Sequence, residues 1–217
     1  WLRVPLEDTL YHLELMEAAD AAEATVWTGV RISRGKDVTE IVLVAPDVPG
    51  LLAIVARACA VAGANIVTAE IYTTEDGTVL DTFAISREFD ADEDELRRAR
   101  RVSDLIARAI EGETGLPEIP ERRPTAASRE IFHPDNDVVV ANDWSNRYTA
   151  IEVSGLDRPG LFHDLARKIA DLGLNIRSAQ LATFGERAVD VFYVTDPDGR
   201  KIAHPATRAK IRRALIG

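Results

Sequence analysis

The 217-residue sequence has one cysteine, few aromatic residues (6%) and no long apolar run. A single Cys59 excludes an internal disulfide and a thiolate zinc site. No stretch of about 18 apolar residues could cross a bilayer, and no signal peptide is visible. These absences predict a soluble, cytoplasmic protein.

Basic residues are also in deficit. The chain has 26 Lys and Arg against 36 Asp and Glu, a net charge of -10 and a pI near 4.9. An acidic surface opposes both a polyphosphate backbone and an anionic membrane, so we expect neither nucleic acid nor membrane as a partner. The 46% of hydrophobic residues can fill the cores of two small domains.

A 20-residue segment occurs twice. "DVPGLLAIVARACAVAGANI" at 47–66 matches "DRPGLFHDLARKIADLGLNI" at 157–176, a shift of 110 positions. Further along, the shift becomes 109, so that Asp81 matches Asp190. Hairpin turns tolerate such a single-residue change. The chain therefore contains two copies of one unit.

Each copy has the same predicted order of elements. A β-rich run ends at the Pro-Gly turn, an apolar-striped helix follows, and then come a two-stranded hairpin and a charged helix. This order predicts an α+β, ferredoxin-like sandwich, in which a four-stranded antiparallel sheet has two helices on one face. The usual fourth strand is missing after the second helix. We expect a leading strand, "ATVWTGVRIS" or "DVVVAN", to occupy that edge of the sheet, which is a circular permutation of the usual strand order.

Composition divides the chain into four segments. Residues 1–20 read as a helical tail of an upstream region, with leucines on one helical face. Residues 21–113 form the first predicted domain, 114–134 a proline-containing extended linker, and 135–217 the second domain. The leucines are Leu6, Leu10 and Leu13, and the prolines are Pro117, Pro120 and Pro124.

The repeated turn has the chemistry of an amino-acid site. The first turn of a helix offers unpaired N–H groups to a carboxylate, and glycine lets a ligand approach the main chain. The turn's Asp can hold an ammonium group, and the downstream Asn can read an amide. The candidate ligand-binding residues are Asp47, Pro49, Gly50, Leu51, Asn65 and Ile66 in the first copy, and Asp157, Pro159, Gly160, Leu161, Asn175 and Ile176 in the second.

Two geometries would assemble this site. The helix could return each chain segment beside its own turn, so that turn and Asn of one copy meet. If the copies instead pair edge to edge, the turn of one faces the second strand of the other and a ligand bridges them. The structural alternative is that Asp caps an ordinary helix start, in which case the repeat shows ancestry and no binding.

No catalytic or metal site is predicted. His163-Asp164 matches the His-Asp pair of an HD phosphohydrolase motif. The four histidines of the chain are, however, not spaced as the ligands of a metal cluster, which favours a position of His163 on a surface helix. Cys59 lies on an apolar helix face and is predicted to be core rather than nucleophile.

The Asp-x-Pro-Gly-Leu turn, the Asn-Ile strand start and the hairpin resemble the ACT domain, a regulatory module that typically binds amino acids. Residues 20–215, most specifically "GERAVDVFYVTD", look like the tandem C-terminal ACT domains of bifunctional uridylyltransferase/uridylyl-removing enzymes, which modify the PII nitrogen-signalling protein. The resemblance implies glutamine as effector and no cofactor or catalysis in these residues. It also implies upstream nucleotidyltransferase and HD domains that use magnesium. A ligand-free dimerisation or docking module is the alternative, and pairing of the copies within one chain or between two stays open.

Overall fold

The computed structural model describes residues 6–48, 50–74, 76–112, 117, 137–158, 160–184 and 186–216. The first copy is preceded by helix α1 (Leu6–Ala21) and consists of β1 (Trp27–Ser33), β2 (Val38–Pro46), α2 (Leu51–Val61), β3 (Ile66–Glu70), β4 (Thr78–Ser86) and α3 (Asp92–Ile110). The second copy consists of β5 (Asp137–Ala141), β6 (Thr149–Leu156), α4 (Leu161–Asp171), β7 (Asn175–Phe184), β8 (Arg187–Thr195) and α5 (Pro205–Ile216).

The leading strands occupy the predicted edge positions. β1 pairs antiparallel with β2, and β5 pairs antiparallel with β6. The strand order is β1-β2-β4-β3 in the first copy and β7-β8-β6-β5 in the second. The predicted α+β sandwiches and their permuted strand order are therefore confirmed. Most of the predicted linker 114–134 lies outside the described residues, and the domain boundaries stay predictions.

The two copies join into one eight-stranded sheet. β3 pairs antiparallel with β7, in the register Thr68 to Gln180, Ala69 to Ala179 and Glu70 to Ser178. Helices α2 and α4 pack against each other beside this junction. The copies therefore lie edge to edge within the chain.

The main core lies between the sheet and the helices α2 to α5. Phe83 and Phe192 occupy equivalent positions on β4 and β8 and are fully buried. The ring of Phe192 stacks on Phe162 with centroids 5.5 Å apart. Because side chains alternate along a strand, Ile41 and Leu43 face this core while Val42 and Val44 face the other side of the sheet.

Helix α1 covers that other side in the first copy. Tyr11, Leu15 and Ala19 pack against Val42 and Val44. The leucines predicted to share one helical face, by contrast, point to solvent, where Leu6 is 74% exposed. None of the helices in the described ranges is long and apolar enough to cross a membrane.

Candidate functional site

Both turns before the central helices place a glycine at the helix cap position. Gly50 has φ 76° and Gly160 has φ 79°, a left-handed conformation that costs a residue with a Cβ about 1–2 kcal/mol. Among the described residues, neither helix start has a side-chain cap hydrogen bond. Asp47 and Asp157 are therefore not needed as caps, which removes the main argument for a purely structural role.

Some of the backbone N–H groups that were predicted to bind a ligand carboxylate already donate hydrogen bonds within the protein. The Leu51 amide donates to the Val48 carbonyl at 3.1 Å, and the Leu161 amide donates to the Arg158 carbonyl at the same distance. A ligand carboxylate would therefore be bound by the other amides of the first turn. The two remaining turn residues of the prediction, Pro49 and Pro159, lie outside the described residues.

The turn and the Asn of one copy do not meet, so that prediction is wrong. Helix α2 has 11 residues and is therefore about 16 Å long. It carries the chain away from Gly50, and Asn65 follows at the far end of the helix. The same geometry separates Gly160 from Asn175 across α4.

Two cavities form instead between the copies. The first, which we call the turn-1 cavity, has a volume of about 250 Å³. The first copy contributes its turn and the second copy contributes the start of β7. Of the predicted residues, Asp47, Gly50, Leu51, Asn175 and Ile176 line it.

The turn-2 cavity is the pseudo-symmetric counterpart, with a volume of about 450 Å³. Here the second copy contributes the turn and the first copy contributes the start of β3. Asp157, Gly160, Leu161, Asn65 and Ile66 line it. Each of the ten predicted residues that the structure describes thus lines one of these two cavities.

Each cavity also contains a buried aspartate that sequence reasoning did not select. Asp81 on β4 is 1% exposed and lines the turn-1 cavity, and Asp190 on β8 is 4% exposed and lines the turn-2 cavity. Burial, with a smaller effect of the nearby Asp47, raises the pKa of Asp81 to about 8. Burial and Asp157 raise the pKa of Asp190 to about 7. An Asp at matched positions inside two apolar strands is the signal that could have identified them.

His163 is a second residue whose place differs from the prediction. It is half-buried rather than a plain surface residue, and its Nδ1–H donates to the Ala53 carbonyl at 2.7 Å. Ala53 occupies the equivalent position on α2, so this bond joins the two central helices across the junction. Within the described ranges, no group of three or more His, Cys, Asp or Glu residues could hold a metal ion.

Cys59 lies on the helix face that the periodicity predicts. It is 1% exposed, and burial raises the pKa of its thiol to about 12. A thiol in this state is protonated at neutral pH and is a poor nucleophile. The prediction that Cys59 is a core residue is confirmed.

The duplicated, permuted sandwich with cavities at the junction defines a class of regulatory module. The profile of the ACT domain matches residues 39–104 and 149–203. The chain belongs to the ACT-domain family, and the resemblance predicted from the repeated turn is confirmed.

More specific similarity comes from whole proteins. The chain is 49% identical over its whole length to a bifunctional uridylyltransferase/uridylyl-removing enzyme of Rhodopseudomonas palustris, of which the match covers 24%. Enzymes with the same name from Nitrobacter hamburgensis and Bradyrhizobium diazoefficiens are 50% and 48% identical over 100% and 99% of the chain, and the match covers 23% of each. The chain spans about a quarter of the length of these relatives.

Proposed function

We propose that this chain is the amino-acid-sensing region of a bifunctional enzyme that attaches uridylyl groups to the PII protein and removes them. The chain itself has no catalytic role in this proposal, and glutamine is the effector. Upstream nucleotidyltransferase and HD domains, which use magnesium, would perform the two reactions. The similarity to the bifunctional relatives supports the assignment to such an enzyme.

One observation supports the sensing role above all others. Ten residues selected for amino-acid chemistry line two cavities, and each of these two cavities combines the turn of one copy with the Asn of the other. Pockets for drug-sized ligands occupy about 300–1,000 Å³. The turn-1 cavity of about 250 Å³ therefore suits a smaller molecule such as an amino acid, and the turn-2 cavity of about 450 Å³ has room for one.

The geometry also suggests how occupancy is transmitted. A ligand in either cavity contacts both copies, and its binding energy therefore favours one arrangement of the copies over others. We propose that this change in packing at the β3–β7 junction reaches the catalytic domains and switches between the two activities. If this coupling is allosteric, the protein has two states that differ in their affinity for glutamine.

Thermal unfolding with added ligand tests the proposal. A ligand at 100 times its Kd stabilises the folded state by about 2.7 kcal/mol. For a chain of this size that raises the Tm by roughly 5–10 °C. We expect L-glutamine to give this shift and glutamate, asparagine and D-glutamine to give less.

Paired variants make the measurement specific. Asn65→Ala and Asn175→Ala remove the amide of one cavity each, and the shift with glutamine should fall in both. Asn146→Ala is the matched control, because Asn146 is exposed and lies outside both cavities. A wild-type Tm that does not move at millimolar glutamine would contradict the sensing role.

A docking module that binds no metabolite is the second candidate. Its support is the exposed apolar face of α1, where Leu6, Leu10 and Leu13 are 74%, 52% and 45% exposed. The same titration separates the candidates, since a docking module predicts no shift with any amino acid.

A further inference from the structure

Asp81 and Asp190 are equivalent carboxyl groups that are buried in the largely apolar strands β4 and β8. Burying an ionised carboxylate without a counter-charge costs several kcal/mol, so a buried carboxylate is normally paired with a cation. Within the described ranges, neither Asp81 nor Asp190 makes an ion pair. Both lie on the walls of the cavities instead.

One of the two carboxylate oxygens of Asp81 has a hydrogen-bond partner and the other has none among the described residues. Its Oδ1 accepts the Tyr72 amide at 3.1 Å. Its Oδ2 is buried and has no hydrogen-bond partner among the described residues. A group that donates a hydrogen bond from within the turn-1 cavity would satisfy this atom.

The carboxyl group of Asp190 has fewer hydrogen bonds than that of Asp81. In the described part of the chain, neither of its oxygens has a hydrogen-bond partner, and Asp157 is the charged group that acts on it most. The basic side chains of the turn-2 cavity have other partners: Arg158 pairs with Asp164 at 2.5 Å, and the His163 Nδ1–H donates to the Ala53 carbonyl.

We propose that Asp81 and Asp190 bind the ammonium group of the amino-acid ligand, one in each cavity, and thereby fix which end of the ligand faces the helix. The inference rests on the proposed sensing role. An ammonium group has three donors and no acceptor. In the turn-1 cavity these donors match the free Oδ2 of Asp81 and the carboxylate of Asp47 on the rim.

The rest of each cavity agrees with this orientation. The ligand carboxylate then lies at the positive N-terminal end of α2 or α4, beside Gly50 or Gly160. The side chain extends toward Asn175 or Asn65 of the other copy. A molecule without an α-ammonium would leave the buried aspartate unpaired.

Binding in this mode depends on pH. A bound cation favours the ionised carboxylate, whereas without a ligand Asp81 and Asp190 are largely or partly protonated at pH 7, because their pKa values are about 8 and 7. The other charged or titratable lining groups are Asp47 and Arg177 in the turn-1 cavity, and Cys59, Glu88, Asp157, Arg158 and His163 in the turn-2 cavity. Ligand binding at pH 7 should therefore release protons, and affinity should increase between pH 6 and pH 8.

Calorimetric titration of the whole chain tests the proposal. Wild type, Asp81→Asn, Asp190→Asn and the double variant are titrated at pH 8 with L-glutamine and with 5-amino-5-oxopentanoate, which lacks only the α-amino group. We expect the double variant to bind glutamine at least about tenfold more weakly, since a hydrogen bond to a charged group contributes about 1.5–3 kcal/mol. It should also lose the preference of the wild type for glutamine over the analogue.

Controls separate this inference from folding and from the sensing role. Asn at position 81 keeps an acceptor for the Tyr72 amide, and Asp104→Asn makes the same exchange at an exposed site on α3. Proton release, measured on wild type in two buffers of different ionisation enthalpy, needs no variant. If wild type binds glutamine but the double variant binds it equally well, or no proton is released at pH 7, the ammonium assignment is wrong and the sensing role stands. If wild type binds no amino acid at all, the sensing role itself is wrong.

Discussion

The first and second copies differ in the hairpin that joins their third and fourth strands. In the first copy, Thr74 and Thr78 flank a three-residue loop that ends in Gly77 at φ 85°. In the second copy, Phe184 and Arg187 pair directly across a two-residue turn. Three-residue loops require a left-handed residue at their end, which glycine supplies. This is the single-residue difference between the copies that the change of shift predicts.

The ladder beside the loop differs as well. In the second copy β7 and β8 pair without interruption from Ser178 to Phe184. In the first copy β3 ends at Glu70, and the Tyr72 amide bonds the Asp81 side chain. Of these equivalent aspartates, Asp81 accepts a backbone hydrogen bond and Asp190 accepts none among the described residues, and their pKa values are raised to about 8 and about 7. The comparison teaches that two copies with one fold can give their cavities different chemistry.

The largest change in stability is expected from substitution of the two core phenylalanines. Phe83→Ala and Phe192→Ala each remove a fully buried ring and should cost about 3–5 kcal/mol of unfolding free energy. Phe192→Ala should cost about 0.5–1.5 kcal/mol more, because it also removes the stacking with Phe162. Urea unfolding measures both values.

Phe184→Ala is the control for these variants. Phe184 is 69% exposed, so the same exchange should change stability by less than about 0.5 kcal/mol. Equal costs at Phe83 and Phe192 would mean that the stacked pair adds nothing to the second core.

A smaller loss of stability is expected when the glycines at the turns are replaced by alanine. Gly50→Ala and Gly160→Ala should each cost about 1–2 kcal/mol, because alanine is strained at φ 76° and 79°. Each should also weaken glutamine binding in its own cavity. Gly199→Ala has the same backbone strain at φ 78°, with open space around the new Cβ, and lies outside both cavities.

The three alanine variants are compared by unfolding and by titration with glutamine. Equal loss of stability with binding retained only in Gly199→Ala would identify the turns as part of the sites. Unchanged binding in Gly50→Ala and Gly160→Ala would place the ligand elsewhere.

The last expected effect is a pH-dependent gain of stability in Asp81→Asn. The folded state keeps the Asp81 proton up to about pH 8, whereas an unfolded Asp loses it near pH 4. The folded state therefore binds more protons in this window, and wild-type stability decreases as pH rises from 4 to 8. Asparagine removes this loss, so the stability of the variant relative to wild type should increase as pH rises from 5 to 8.

Urea unfolding from pH 5 to pH 9 checks this expectation for both copies. In Asp190→Asn the gain should level off about one pH unit earlier, because the pKa of Asp190 is about 7. Asp104→Asn, at an exposed position, should show neither trend. A gain that is independent of pH would contradict protonation of the buried carboxyls.

Much of the fold could be predicted from local pattern. The runs "VTEIVLVAP" and "NIRSAQLATF" coincide with β2 and β7, because β-rich segments bounded by turn residues are read from neighbouring positions. Ten of the twelve candidate site residues line the two cavities, and their role in ligand binding stays a prediction. Their grouping within one copy was wrong, since an 11-residue helix separates Gly50 from Asn65.

Other parts of the site have no local signature. Asp81 reads as one polar residue in a strand, and only its burial beside the cavity gives it a raised pKa. His163 reads as a surface helix residue, and only the packing of α4 against α2 brings it to the Ala53 carbonyl. Such properties depend on residues far apart in the chain.

By itself, the sequence determined the two copies, their order of strands and helices, and the glycines at the left-handed turns. These features follow from side-chain periodicity and from backbone conformations that few residues can adopt. Only the tertiary structure decided that β3 pairs with β7 and that each turn meets the Asn of the other copy. The physical reason is that pairing of sheet edges uses backbone groups, which every strand possesses, so the choice of partner depends on how the whole chain packs.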